Sequence, residues 1–480
     1  MTTTRDILDA SPVRFGTSGA RGLVTDLTDA VCQAYTLAFL DAIGADAHGR
    51  VALALDLRPS SPRIAGACAA AMAHRGIELD HCGALPTPAL ACHALREGVP
   101  AIMVTGSHIP FDRNGIKFYR ADGEISKADE AAILAARVPM PAHGGAVALP
   151  EPNPAARAAY VARYLEFFPG TPLAGMHLGF YEHSSVARDV LREILEGLGA
   201  RVTTLERTDR FVPIDTEAVA DEDVQRARAW SAGHGFDAIL STDGDADRPL
   251  LADERGEWLR GDVLGILCAR ELGARAVATP VSSNTALEAC GAFARVVRTR
   301  IGSPFVIAAM QELAAEGCDG VVGYEANGGF LVGTPLRRDG RVLAALPTRD
   351  AVLPMVTLLT AARARGVPLS QLARDLPPRY TVSDRLRDFP AADAAALLRR
   401  LAASADARAE LLADLCGAPV TLDQTDGLRM TAANGEIVHL RPSGNAPELR
   451  CYAEAADPGR AEWLARSCLQ SVARTSLSRT

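Results

Sequence analysis

An apolar run, residues 101–104, ends in Thr105-Gly106-Ser107-His108, which sets a small hydroxyl on a glycine-flanked turn beside an imidazole. Lys117 follows in the same segment, so a hydroxyl able to carry phosphate and a cation arrive together. Taken alone, this is an ordinary turn serine. Its meaning changes with Asp243-Gly244-Asp245-Ala246-Asp247-Arg248, where three carboxylates alternate with small residues. Such oxygen ligands suit a hard cation such as Mg²⁺, with the other coordination positions left to water or phosphate. As a bare acidic turn the three charges would repel one another. A calcium loop is excluded: Arg248 stands at its sixth position, where glycine is required, and Pro249 follows. An aspartyl-phosphate nucleophile normally has Thr or Val at the fifth position of its loop, and here it is Asp247.

A serine hydroxyl is a poor nucleophile at neutral pH without a base or a metal. A phosphorylated Ser107, however, can set one oxygen on a cation held by Asp243, Asp245 and Asp247 and donate the phosphoryl group. Hydroxyl, carboxylate cage and cation together point to phosphoryl transfer. His108 is either a general base or the residue that orients the turn. Lys117 is the candidate general base and acid, on the expectation that a cationic neighbourhood lowers its pKa. Two further loops offer recognition groups. Arg441, Ser443, Asn445 and Arg450, with Gly444 for backbone access, form a phosphate clamp, because guanidinium forks and backbone N–H groups suit phosphate oxygens. Glu325 and Asn327, in Gly323-Tyr324-Glu325-Ala326-Asn327-Gly328-Gly329, suit sugar hydroxyls. Phe15-Gly16-Thr17-Ser18-Gly19-Ala20-Arg21-Gly22 has glycines and an arginine, but no strand is expected before it, so a nucleotide fingerprint is rejected.

The elements that must position these loops follow a repeated pattern. A strand at 51–55, a helix at 63–74, a glycine stop and a strand from 77 form one βαβ unit. The pattern returns as strand 177–181, Ser184-Ser185 as caps of a helix at 186–198, and strand 201–205. It returns again as strand 276–281, a short helix to Cys290, and strand 296–299. Each copy is followed by a buried strand (101–104, 238–241, 320–322) that empties into one of the chemistry-bearing loops, where open α/β sheets place their ligands. After about residue 374 the rhythm changes to helical text (391–415) and two strands, 436–440 and 449–453, around the arginine loop. The fold class expected is α/β: three related α/β domains with mixed sheets (1–150, 151–254, 255–372) and a smaller C-terminal α+β domain (373–480), arranged around a central cleft.

At 480 residues the chain exceeds what one core usually serves. A net charge of −8 argues against nucleic-acid partners, which need a basic face. No apolar run approaches the roughly 18–20 residues of a membrane span, and residues 1–6 lack the features of a signal peptide. Ten cysteines without C-x-x-C spacing read as reduced thiols of a cytoplasmic protein, with no zinc site expected.

The ordered motifs F-G-T-S-G-A-R-G, T-G-S-H-I-P, D-G-D-A-D-R, G-Y-E-A-N-G-G and R-P-S-G-N-A-P-E-L-R resemble those of the α-D-phosphohexomutase family, which covers phosphomannomutases, phosphoglucomutases and phosphoglucosamine mutases. The resemblance spans nearly the whole chain and implies a heart-shaped, four-domain enzyme whose last domain closes over the sugar. By motif position it implies that Ser107 is the phosphoserine and that Asp243, Asp245 and Asp247 hold Mg²⁺ with it. Arg21, Lys117 and Arg248 would then stabilise the transferring group or assist proton transfer. Glu325 and Asn327 would grip sugar hydroxyls, Gly302 and Ser303 would contact substrate, and the Arg441 loop would hold the distal phosphate. The implied reaction interconverts hexose 6-phosphate and hexose 1-phosphate, mannose first, with a hexose 1,6-bisphosphate as intermediate and activator. Its implied partner is a small phosphosugar, and the oligomeric state is left between monomer and dimer. Ile109, Asn327, Gly329 and Asn445 depart from the commoner family residues, which blurs the sugar identity. A phosphoglucomutase or phosphoglucosamine mutase is the alternative, followed by a metal-dependent sugar phosphatase or a non-catalytic sensor.

Overall fold

The computed structural model describes residues 2–16, 19–142, 144–443 and 447–477. Three sheets repeat one strand order. In the first, Glu78–Ala84, Arg50–Leu55 and Ala101–Val104 run parallel, and Arg113–Arg120 joins antiparallel. In the second, Arg201–Leu205, His177–Tyr181 and Ala238–Thr242 run parallel and Pro249–Ala252 returns antiparallel. In the third, Arg295–Thr299, Ala276–Pro280 and Val321–Tyr324 run parallel and Phe330–Val332 returns antiparallel. The shared order explains the sequence rhythm. Each chemistry-bearing loop is the same connection, from the third parallel strand into the antiparallel fourth: residues 105–112, 243–248 and 325–329.

The central strands Arg50–Leu55, Ala101–Val104, His177–Tyr181, Ala238–Thr242, Ala276–Pro280 and Val321–Tyr324 are buried almost throughout, whereas the outer strands Arg201–Leu205 and Arg295–Thr299 are largely half-exposed. One core runs from Ala52 to Leu376 through all three repeats, so they pack as one body, while Leu8–Ile133 residues form a second core on the other face of the first sheet. The C-terminal part has its own core, between Phe389 and Val472. There a five-stranded antiparallel sheet packs against the helices Ala391–Ala403 and Pro458–Leu477. Its strands Ile437–Pro442 and Leu449–Ala455 pair directly and carry the arginine loop between them.

Two local expectations are corrected. The helix read as starting at residue 186 starts at Arg188. The serines before it serve other partners: Ser185 Oγ pairs with Thr242 Oγ1 (2.6 Å), and Ser184 Oγ accepts from Val212 N (2.8 Å). A short strand, Arg14–Phe15, does precede the N-terminal glycine motif. It pairs antiparallel with Ala20–Leu23, so the element after the glycine motif is a strand and not the helix that a dinucleotide fingerprint needs.

Candidate active site

Strands Arg50–Leu55 and Ala101–Val104 are parallel neighbours, so their carboxyl ends deliver two loops side by side. The first loop clamps the second. Arg58, fully buried, donates from Nη1 to the carbonyls of Pro110 (2.7 Å) and Arg113 (2.9 Å), and from Nη2 to those of Ser107 (2.9 Å) and Ile109 (2.6 Å). Its charge is met by Asp56 (3.2 Å), whose carboxylate also accepts from Thr105 Oγ1 (2.8 Å), and Thr105 Oγ1 in turn accepts from Ser107 N (2.8 Å). Burial pushes the Asp56 carboxyl up, and Arg58 with the surrounding donors opposes that. Glycine is required at 106, because a Cβ there would lie 2.5 Å from the Arg58 guanidinium carbon. The strapped turn holds Ser107 at φ 51, a left-handed conformation that a serine adopts only under constraint. Arg58 falls between the strand expected at 51–55 and the helix expected at 63–74, a helix that begins at Ser61, and no role was expected of it. The available signal was a charged pair, Asp56 and Arg58, at the carboxyl end of a buried strand.

Ser107 Oγ donates to Asp243 Oδ2 at 2.5 Å. Gly244 permits this approach, since a Cβ there would meet the Ser107 carbonyl oxygen at 2.8 Å. Asp243, Asp245 and Asp247 are all buried, with candidate ligand oxygens within 4.8 Å of one another. Asp245 Oδ1 and Asp247 Oδ1 are buried without a hydrogen-bond partner among the described residues, so the donor set fits a hard divalent cation. The cage charge is balanced by cations from three elements. Lys117 Nζ lies 2.6 Å from Asp245 Oδ2 and 2.7 Å from Asp247 Oδ2. Arg349 Nη2 lies 2.8 Å from Asp247 Oδ2, and Arg248 Nε lies 3.6 Å from Asp247 Oδ1. Thr87 Oγ1 donates to Asp245 Oδ2 (2.6 Å).

These contacts set the protonation pattern. Burial, then Asp245 and Asp247, push the Asp243 carboxyl well above the carboxylate range. Burial also works against the Asp247 carboxylate, yet Arg349, Lys117 and Arg248 hold it far below its ordinary value. The expected lowering of Lys117 is overturned: burial does pull its ammonium down, but Asp245 and Asp247 outweigh burial and raise it. Lys117 is therefore held charged. His108 Nδ1 lies 3.4 Å from Ser107 Oγ. Arg248 first, then burial and Arg21, hold the His108 ring well below its ordinary value, so it is neutral. Arg21, crowded by burial, Arg248 and Arg349, is lowered to about 10 and stays charged.

Arg349 was missed in the sequence and joins two of the loops. Besides Asp247 it reaches Glu325, with Nη1 2.7 Å from Oε2. Its signal was an Arg349-Asp350 pair closing the strand Leu346–Asp350, just before the apolar helix Val352–Arg365. Asn327 Oδ1 accepts from Gly329 N (3.0 Å), and its carbonyl accepts from Thr216 Oγ1 (2.9 Å), so this side chain braces its own loop.

The C-terminal part docks through Asp426. Its Oδ2 accepts from Ile301 N (2.9 Å) and lies 2.9 Å from Arg441 Nε, which brings the loop at Gly302 beside the arginine loop. The Ser303 hydroxyl is engaged by Glu124 (3.1 Å). Arg450 borders a cavity of about 180 Å³ that also touches Glu217, and the Glu217 carboxyl interacts with both Arg248 and Arg450. Ser443 N donates to Glu448 O (2.8 Å), closing the base of the arginine loop. Gly444 and Asn445 lie outside the described residues. A second cluster, Asp80, Cys82 and His93, is closed on itself: His93 Nε2 and Asn153 Nδ2 each lie 2.8 Å from an Asp80 oxygen. All ten cysteines are free, and no described helix is long and apolar enough to cross a membrane.

The chain is similar to known proteins over most of its length. The chain matches phosphoglucomutase/phosphomannomutase alpha/beta/alpha domain I over residues 12–137, domain III over 260–380, and the C-terminal domain over 387–469. It is 49% identical to the phosphomannomutase of Salmonella muenchen over 454 residues, 94% of each chain. It is 46% identical to that of Sinorhizobium fredii over 460 residues, 94% of this chain and 97% of the relative. Its fold is shared with a putative phosphomannomutase from Thermus thermophilus, with a TM-score of 0.74 at 22% identity, covering 96% of this chain and 99% of that one.

Proposed function

This chain belongs to the α-D-phosphohexomutase family and is a phosphomutase, and from that premise we propose that it interconverts mannose 6-phosphate and mannose 1-phosphate through a phosphorylated Ser107. The observation that carries the reading is the Ser107 hydroxyl, 2.5 Å from Asp243 within a buried carboxylate cage that Lys117, Arg248 and Arg349 surround. The family names of the two relatives support mannose as the sugar.

In the forward half-reaction the bond between Ser107 Oγ and phosphorus breaks while a sugar hydroxyl oxygen bonds to that phosphorus, and the proton of that hydroxyl passes by way of neutral His108 to the departing Ser107 Oγ. The product is a hexose 1,6-bisphosphate, which turns over and returns its other phosphoryl group to Ser107. A Mg²⁺ held by Asp243, Asp245, Asp247 and the phosphoserine would neutralise charge on the transferring group. We assign Lys117, Arg21 and Arg248 to the phosphoryl oxygens, because positioned cations are most of what phosphoryl transfer requires. His108, neutral and beside Ser107 Oγ, is assigned to proton handling there. Glu325 is assigned to the sugar hydroxyls, with Asn327 as the brace of its loop. Arg441 and Arg450, with Ser443 and the backbone at Gly302, are assigned to the phosphate that stays behind.

The test is a coupled assay with mannose 1-phosphate, glucose 1-phosphate and glucosamine 1-phosphate, primed with the bisphosphate and Mg²⁺. Mannose 1-phosphate should turn over with the highest kcat/KM, and Ser107→Ala should abolish both turnover and ³²P attachment to the protein. Faster turnover of another sugar would reassign the substrate. Release of inorganic phosphate without isomerisation would replace the mutase reading by a phosphatase, and unchanged turnover in Ser107→Ala would remove the phosphoserine.

A further inference from the structure

Away from the cleft, the helices Thr87–Glu97 and Ala155–Phe167 and the hairpin of Leu336–Arg338 with Arg341–Leu343 enclose a cavity of about 410 Å³. Three arginines line it, one from each element: Arg96, Arg163 and Arg341. Their charge is poorly compensated. Arg163 Nε and Nη2 are buried without a hydrogen-bond partner among the described residues. Among the described residues Arg341 reaches only a backbone oxygen, at 3.5 Å, and Arg96 only Glu97, at 3.5 Å, a carboxylate already bonded to Arg50 at 3.1 Å. Glu166, exposed at the rim, is the one carboxylate in the lining, and Phe167 and Val342 supply apolar wall. A guanidinium with two buried, unpaired N–H groups carries an unmet desolvation cost, and a bidentate oxyanion is the ligand that best meets it. In a larger cavity of about 570 Å³ near Trp258 and Tyr380 the arginines are better compensated: Arg255 and Arg379 are paired with Asp253 and Glu454, and Arg260, with Nε alone lacking a hydrogen bond among the described residues, lies 3.6 Å from Asp262.

We propose that this cavity is a second anion-binding site, remote from the cleft, for a small phosphorylated or carboxylated molecule with an apolar body. The oxyanion sits on Arg163, with Arg96 and Arg341 flanking it, and the apolar body lies against Phe167 and Val342. The site backs onto the active-site scaffold. On the Arg163 helix, Tyr160 and Tyr164 both donate to Asp350, the neighbour in sequence of Arg349, and Asp350 also caps the helix Val352–Arg365. A molecule filling the cavity therefore presses on the element that carries Arg349. The inference does not depend on which sugar is isomerised, or on the protein being a mutase at all.

Calorimetric titration of the full-length protein with phenyl phosphate and with benzoate tests the site, with inorganic phosphate as the arm lacking an apolar body. Wild type should bind phenyl phosphate in the low-millimolar range or tighter. One equivalent should weaken at least about tenfold in Arg163→Gln, and that equivalent should persist in Arg450→Gln, which disables the cleft clamp. Basal turnover of Arg163→Gln should be unchanged. Arg341→Gln, at a half-buried position on the hairpin, should weaken the same equivalent by a smaller factor. Phenyl phosphate binding that survives both Arg163→Gln and Arg341→Gln, or that disappears in Arg450→Gln, would overturn the proposal, as would a wild type that binds neither phenyl phosphate nor benzoate. Benzoate binding without phenyl phosphate binding would restrict the natural ligand to carboxylates.

Discussion

Arg349→Met isolates the one side chain that ties the carboxylate cage to the Glu325 loop. Wild type holds Asp247 at 2.8 Å through Nη2 and Glu325 at 2.7 Å through Nη1. Removing one partner from a buried ion pair costs about 3–5 kcal/mol. Asp247 retains Lys117 at 2.7 Å, so its share of that loss is cushioned, whereas Glu325 loses its direct ion pair inside a buried loop. The lower end of the range, about 3 kcal/mol, is the better figure, and if it falls on the assembled site it corresponds to a drop of about 100-fold in kcat/KM. Arg349→Lys keeps the charge but can serve only one carboxylate, so it should fall between wild type and the methionine variant. The assay is steady-state turnover of mannose 1-phosphate, with near-UV circular dichroism to confirm folding. Because Glu325 faces the sugar side and Asp247 the cage side, KM should rise as well as kcat fall. A folded Arg349→Met protein within about threefold of wild-type kcat/KM, or one in which Lys restores full activity, would refute the bridging role.

Gly106→Ala should inactivate without unfolding the protein, since its Cβ must push aside the Arg58 guanidinium that straps the Ser107 turn; unaltered activity would show that the strap is dispensable. Acid should destabilise the fold through His183 and His439. Burial above all lowers each from 6.5 to about 4, so below the ordinary value the unfolded chain takes up protons that the folded one refuses. Stability is therefore lost as pH falls from 6.5 towards 4, by about 1 kcal/mol per histidine between 6.5 and about pH 5.5. Urea midpoints measured down that range should fall, and the slope should lessen in His439→Gln. Chelation with EDTA should abolish turnover and Mg²⁺ should restore it. Because the Asp243 carboxyl is raised and must lose its proton to become a ligand, Mg²⁺ binding should release protons and weaken as pH is lowered, which titration in buffers of different ionisation enthalpy measures.

Much of this arrangement was legible because it is local. The strands at 177–181 and 201–205 were read to the residue, the first as an apolar run bounded by polar turns and the second from its β-branched residues after the glycine stop at 199, and the loop after each third strand followed from the repeat. The cage was legible because its ligands are neighbours in sequence. What the sequence hides is long-range pairing. Arg58 and Arg349 look like surface arginines until the fold brings Ser107 to one and both Asp247 and Glu325 to the other. Lys117 was misjudged for the same reason. The cationic motifs around it were visible, but that its ammonium would touch two of the cage carboxylates was not. The helix start at Arg188 was misplaced because Ser184 and Ser185 look like caps, and only the fold shows that their hydroxyls are spoken for.

That one sheet plan occurs three times, each with its working loop on the same crossing, has a consequence for redesign. A scaffold that repeats frees its three mouths to specialise, one as carrier, one as cage and one as reader, and a reader can in principle be rewritten while its siblings keep their trades. Here the freedom is bounded by a single rivet. Any library that randomises residues 325–329 to change the sugar must leave the acidic anchor at 325 in place, or the change of taste will loosen the cage next door.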